Sequence, residues 1–211
     1  MKSVLISIQP KWVEKIASGE KTIEVRKTAP DVPFKAYIYC TKAKPYLYRE
    51  ANPPFELFLD SQLYKGDGYD DRLFSGKVIG EFICDKVDKI IPLQHTYYNY
   101  IGLPIANVTE YGIWNDDLAQ MCLKKKEIYN YGKGKILYGL HISNLKIYDK
   151  PKELGEFKTP PCEKGEKACE NCKWLVKINT PDVFECECYV EDGRPITRAP
   201  QSWQYVEELE E

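Results

Sequence analysis

The stretch Gly19-Glu-Lys-Thr-Ile-Glu-Val-Arg26 decides how the chain is read. Before it, Trp12, Val13, Ile16 and Ala17 recur at helical spacing, and Gly19 stands where a helix closes in a left-handed residue. That spacing predicts a helix from Pro10 to Ser18. After it, Ile23 and Val25 alternate with Thr22, Glu24 and Arg26, the period of a strand with aliphatics on one face and polar groups on the other. Strict alternation puts Lys21 on the opposite face, yet from the strand's mouth it can reach over the same junction. Three charged groups therefore crowd against a helix end. On a solvated strand face they would find cross-strand partners worth roughly a few tenths of a kcal/mol.

Working outward, Val4 to Ile8 reads as a first strand and Phe34 to Cys40, aromatic and β-branched, as a third. Lys44 to Gly76 loses all alternation. It is rich in Pro and Gly, with Tyr46, Tyr48, Phe55, Phe58, Tyr64 and Tyr69 spread along it, and reads as an insertion that packs through its aromatics or covers a cleft. Strand alternation resumes from Gly76 to Cys84, with Glu81 the one carboxylate on its second face. Glu110 to Lys126 carries a weak helical pattern. Lys135 to Tyr148 reads as one long strand, able to close a barrel. His141 within it is best read as a hydrogen-bonded structural residue. With only two histidines in the chain, a His-dependent triad has little to stand on.

Composition bounds the rest. With 211 residues, 43% of them hydrophobic, the chain can bury a core and is long for one small barrel, so one domain plus an appendage is expected. No apolar run approaches the roughly 20 residues that span a bilayer, and the first residues lack the apolar region and cleavage site of a signal peptide. A cytoplasmic protein with no membrane partner is the expectation. A net charge of −2 argues against a general nucleic-acid coating protein, but the charge is uneven: residues 1–50 carry ten Lys and Arg against five Asp and Glu, residues 151–211 eight against fourteen. The basic end holds the Gly19–Arg26 stretch, which favours an anionic ligand there. Nothing in the sequence fixes the oligomeric state.

Beyond Pro151 the composition changes, and five of the eight cysteines, Cys162, Cys169, Cys172, Cys186 and Cys188, cluster together. In a reducing compartment such a cluster points to metal or to a satellite core rather than to disulfides. Cys169 and Cys172 have the C-x-x-C spacing of a zinc knuckle. Cys186 makes a third zinc ligand, and Cys162 or Cys188 the fourth. The expected division is 1–150 for the main domain, with its insertion at about 44–76, and 151–211 for a Cys-rich appendage. Its last stretch, from Thr197 to Val206, can return as an edge strand docked by Trp203.

Gly19, Lys21, Glu24 and Arg26 reproduce G-x-K-x-x-E-x-R, and the strand and helix in front of them are in the right order. The region from about Met1 to Ile147 thereby resembles the ASCH domain, a branch of the PUA-like superfamily. The resemblance implies a mainly β (α+β) fold, a PUA-like β-barrel with flanking helices, to which this chain adds its small Cys-rich C-terminal appendage. It also implies a cleft, lined by the signature, for RNA, a nucleotide or a modified nucleoside. In that cleft Lys21 and Arg26 act as donors and Glu24 orients them or accepts from a base edge, with Thr22 and Glu81 as further candidate contacts.

The competing reading is an amidohydrolase acting on an acylated nucleoside such as acetylated cytidine. Small bacterial ASCH proteins of that kind carry a lysine matching Lys21 and a threonine nucleophile where this chain has Glu24. A carboxylate cannot replace a hydroxyl that forms an acyl intermediate, although Lys21 and Glu24 together could activate water. Thr22 lies on the same face but does not match that nucleophile. A third reading is a protein-interaction module. On the binding reading, Lys21 is expected to be partly exposed, so that its replacement by Ala abolishes binding and leaves the melting temperature nearly unchanged.

Overall fold

The computed structural model describes residues 1–66, 68–98, 101, 104–160, 175–177, 184–186 and 193–209, with backbone alone for 97–98, 104–109, 175–177 and 184–186. The chain opens with β1 (Lys2–Ile8), α1 (Pro10–Ala17), β2 (Ile23–Arg26) and β3 (Phe34–Cys40). Proline at the first position of α1 costs no hydrogen bond, and Val13 and Ile16 face the core. Gly19, at φ +79°, ends the helix in a conformation that a side chain would strain. The insertion holds β4 (Tyr46–Arg49), β5 (Leu57–Asp60) and the single turn α2 (Tyr69–Arg72). Next come β6 (Val78–Cys84), β7 (Val87–Ile90), β8 (Pro92–Tyr98) and β9 (Pro104–Tyr111), then α3 (Asn115–Met121) and α4 (Lys125–Gly132). The chain ends with β10 (Leu137–His141), β11 (Ser143–Lys152), β12 (Leu175–Lys177), β13 (Phe184–Cys186) and β14 (Trp203–Val206).

The fold is mainly β with few helices, as the sequence predicts. One sheet runs β11-β6-β3-β1-β14, with β1 and β3 parallel and the other neighbours antiparallel. A second runs β2-β10-β7, all antiparallel. No hydrogen-bonded ladder closes the two into a single barrel among the described residues. β1 is buried on both faces, which is why Val4, Leu5, Ile6 and Ile8 follow one another almost without a polar break. Val4, Ile6 and Ile8 pack with Phe34, Ile38, Phe82 and Val13, while Leu5 joins Tyr37, Val78, Phe157 and Val206 on the other side.

The stretch expected to form one strand from Lys135 to Tyr148 is two. β10 pairs with β2 in the smaller sheet, β11 with β6 in the larger, and the chain turns between them at Ile142. Ile142 still donates its N–H to Thr22 O at 2.9 Å, and Asn144 takes a left-handed φ of 48°. This corner stitches the two sheets covalently. The insertion packs through its aromatics: the buried Tyr48 ring meets Phe58 at 5.8 Å, Tyr64 at 5.9 Å and Tyr69 at 6.4 Å, and Leu47 and Phe74 enter the main core.

Cys162, Cys169, Cys172 and Cys188 lie outside the described residues, as does the side chain of Cys186, and with them the zinc site the spacing suggests. The two ends of that region are described and meet. Thr159 N donates to Arg194 O at 2.8 Å, Arg194 N to Thr159 Oγ1 at 3.1 Å, and Ile196 N to Phe157 O at 2.7 Å. A Cβ at Gly193 would fall 1.5 Å from Thr159 O, so only glycine fits this neck. After it, β14 pairs antiparallel with β1 and Trp203 Nε1 donates to Thr28 O at 3.2 Å. Because the neck is closed by its own backbone, replacing residues 161–192 with a short Gly-Ser linker should leave the rest folded. The unfolding midpoint, followed by circular dichroism, should stay level. Loss of cooperative unfolding would make the segment part of the core.

Candidate functional site

After Gly19 the backbone folds back over the end of α1, with Lys21 N donating to Lys15 O at 2.9 Å, and this turns the Lys21 side chain inward. Its ammonium has three protons and meets three acceptors: Ile23 O at 2.8 Å, Met121 O at 2.6 Å and Glu24 Oε2 at 3.3 Å. Met121 is the last residue of α3, so Lys21 satisfies one of the carbonyls that a helix leaves unpaired, at the negative end of its dipole. Thr22 N donates to Gln120 O in the neighbouring turn. The signature's turn and the end of α3 thus clasp each other.

Glu24 and Arg26, two apart on β2, lie side by side: Glu24 Oε1 is 3.0 Å from Arg26 Nη2, which also donates to Ser7 O at 2.6 Å. Arg26 Nε, although buried, has no hydrogen-bond partner among the described residues. The result is a carboxylate between two cations, with Lys21, Glu24 and Arg26 exposed to only 2, 6 and 8%. The expectation of a partly exposed lysine is corrected by the α3 end, which closes over it.

These residues form part of the wall of a cavity of about 620 Å³. Ser7 and Thr41, at the ends of β1 and β3, contribute to it, as do Trp12 from α1, Glu127 and Tyr131 from α4, and Arg198 from the segment before β14. Trp12 lies under two cations, with Lys11 Nζ 4.3 Å and Lys21 Nζ 5.4 Å from its ring. Burial pushes the Tyr131 phenol above its ordinary range, and the positive charge of Arg26 pulls it the other way. Lys27 Nζ stands 4.9 Å from the Tyr131 ring.

Two of the candidate contacts are elsewhere. Thr22 Oγ1 lies 3.3 Å from Gln120 Oε1, outside the cavity wall. Glu81 sits in β6 of the larger sheet, where it accepts from the Tyr148 hydroxyl at 2.6 Å, and it too is outside the wall. His141 is committed to Asp88 Oδ2 at 2.6 Å. Burial opposes the charge on Asp88, but the hydrogen bonds from His141 and Lys86 prevail and hold its carboxyl below the usual range. Burial pushes the Cys40 thiol up to about 12 and the Cys84 thiol up to about 11, so neither supplies a thiolate. Among the described residues no cluster of His, Cys, Asp and Glu is arranged to hold a metal ion, and no helix is long and apolar enough to cross a membrane.

No family model and no curated protein matches the chain. Solved structures do. An ASCH protein from Zymomonas mobilis aligns at 13% identity and a TM-score of 0.47, covering 98% of this chain and 89% of that one. Two single-substitution mutants of ZmASCH, also from Zymomonas mobilis, align at 15% and 12% identity with TM-scores of 0.39 and 0.45. The first alignment covers 73% of this chain and 77% of the mutant, the second 98% and 89%. These neighbours bear the family name that the signature suggests. At such TM-scores the likeness is loose, and the chemistry of the site rests on its own geometry.

The clasp gives Lys21 a stability role that an exposed lysine would not have. Replacing it with Met leaves Glu24 with one cation fewer and two carbonyls without a donor, a loss of roughly 3–5 kcal/mol for a broken buried pair. For a chain of this size the melting temperature should fall by on the order of 10 °C, read by thermal denaturation. An unchanged melting temperature would mean that Lys21 is not held as described.

Proposed function

We propose that the cavity binds a nucleobase-containing ligand, namely RNA, a nucleotide or a modified nucleoside, as an ASCH-type binding module. The observation that carries this is the Glu24–Arg26 pair, a buried acceptor beside a buried donor at the wall of a cavity that also holds two aromatic side chains, Trp12 and Tyr131. Adjacent acceptor and donor groups suit the edge of a base, whose own donors and acceptors alternate, and aromatic faces suit its plane. The cavity volume lies within the roughly 300–1,000 Å³ usual for small-ligand sites.

The hydrolase reading has less support. Lys21 donates to two backbone carbonyls and is ion-paired to Glu24, both oxygens of Glu24 already meet cations, and Thr22, the hydroxyl next to the signature lysine, is outside the wall. Titration calorimetry with nucleosides, nucleotides and short single-stranded RNA should give saturable binding. Replacing Trp12 by Leu should weaken it by about tenfold, since stacking a base on an aromatic contributes about 1–3 kcal/mol. No acetate should be released from acetylated cytidine. Absence of saturable binding across that panel would remove the proposal, and turnover of acetylated cytidine would replace it with hydrolysis.

A further inference from the structure

Four cations and two carboxylates stand in the cavity wall, and five of the six have visible commitments. Lys21 and Arg26 share Glu24 and donate to backbone carbonyls. Lys11 lies over the Trp12 ring. Glu127, in the first turn of α4, accepts from Lys124 N at 2.8 Å. Arg198 differs: its side chain is exposed, and no ion pair, hydrogen bond or ring contact engages it among the described residues.

The backbone that carries Arg198 is fixed on both sides. Ile196, two residues before, is buried and bonded to Phe157 O. Pro200, two residues after, accepts from Ser7 Oγ at 2.6 Å, and Ser202 O accepts from Ser7 N at 2.9 Å. Ser7 is the residue whose own carbonyl holds Arg26. A rigid arm therefore sets a free guanidinium at the edge of a wall that is already net positive. A guanidinium offers five donors in a planar fork that matches phosphate oxygens.

We propose that Arg198 forms an anion subsite at the cavity, so that the ligand carries a phosphate and is a nucleotide or a strand rather than a free nucleoside. This rests on the nucleobase reading and adds to it a selecting residue outside the signature. The phosphate can be the terminal group of a mononucleotide or the diester of a strand, and the test separates the two. With the full chain at low salt, affinities are measured for a nucleoside, its 5′-monophosphate and the corresponding dinucleoside monophosphate. The wild type should bind one or both phosphate-bearing probes about tenfold or more tighter than the nucleoside, the scale of a charge-assisted contact. That advantage should shrink as salt is raised. In Arg198→Ala the ratio should fall to near one, and Arg198→Lys should restore part of it.

A gain with the monophosphate assigns a terminal phosphate, and a gain with the dinucleoside alone assigns a strand. Equal affinities in the wild type, or an advantage that survives Arg198→Ala, overturn the subsite while leaving the nucleobase reading intact. A wild type that binds none of the probes overturns both.

Discussion

The ammonium of Lys21 is the point on which the site depends. A lysine offers three donors and no acceptor, and its charge is tolerable in a buried place only when it is paired and hydrogen-bonded. Here they are shared among the signature's own backbone, the end of α3 and the carboxylate of Glu24. The same group therefore does three things. It closes the helix-to-strand turn, holds α3 against β2, and fixes the carboxylate that Arg26 meets from the other side. A buried carboxylate with one cation would be a neutral pair. With two it keeps a net positive charge in a nearly dry setting, where electrostatic attraction for an anion is stronger than in water.

This division of labour separates the two cations of the signature. Lys21 is spent internally, whereas Arg26 has an Nε without a hydrogen-bond partner among the described residues and stands next to Tyr131 and Ser7. Chemistry that needs a free lysine at this position would first have to break its hydrogen bonds to two carbonyls or its ion pair with Glu24. Binding through Glu24 and Arg26 needs no such rearrangement of Lys21, which is why the geometry sits more easily with recognition than with acyl transfer.

Much of this was legible in the sequence because it depends on local spacing. Helix α1 and strand β3 follow directly from apolar periodicity, and the i, i+2 relation of Glu24 and Arg26 forces them to one face. What was not legible depends on distant partners. The acceptor that buries Lys21 is the carbonyl of Met121, 100 residues away. The split of the Lys135–Tyr148 stretch shows in the sequence only as a slip of phase, from Tyr138, Leu140 and Ile142 to Leu145 and Ile147, and the change of sheet is decided by what each half pairs with. Glu127 and Tyr131 lie one helical turn apart in a polar segment, Lys-Lys-Glu-Ile-Tyr-Asn-Tyr-Gly, with too few apolar residues to announce a helix. Glu81 misleads for the converse reason: period-two alternation tells which residues share a face, but not what that face meets.

The wall of the cavity is drawn from widely separated parts of the chain: the end of β1, α1, β2, the end of β3, α4 and the arm before β14. None of these is a free-standing loop that could fold alone around a ligand. Ser7 joins two of them by itself, through its carbonyl to Arg26 and its hydroxyl to Pro200. A cavity built this way exists only when both sheets and the C-terminal arm are in place, so any ligand it holds binds the folded state and not the unfolded chain. Its binding energy then adds to global stability as RT ln(1 + [L]/Kd), about 2.7 kcal/mol at a hundredfold excess over Kd. The arm is the segment between the Gly193 neck and β14, and it is this segment that brings Arg198 to the cavity. The point where the Cys-rich segment joins the fold is thus five residues from Arg198, in the part of the wall that lies outside the signature-bearing region.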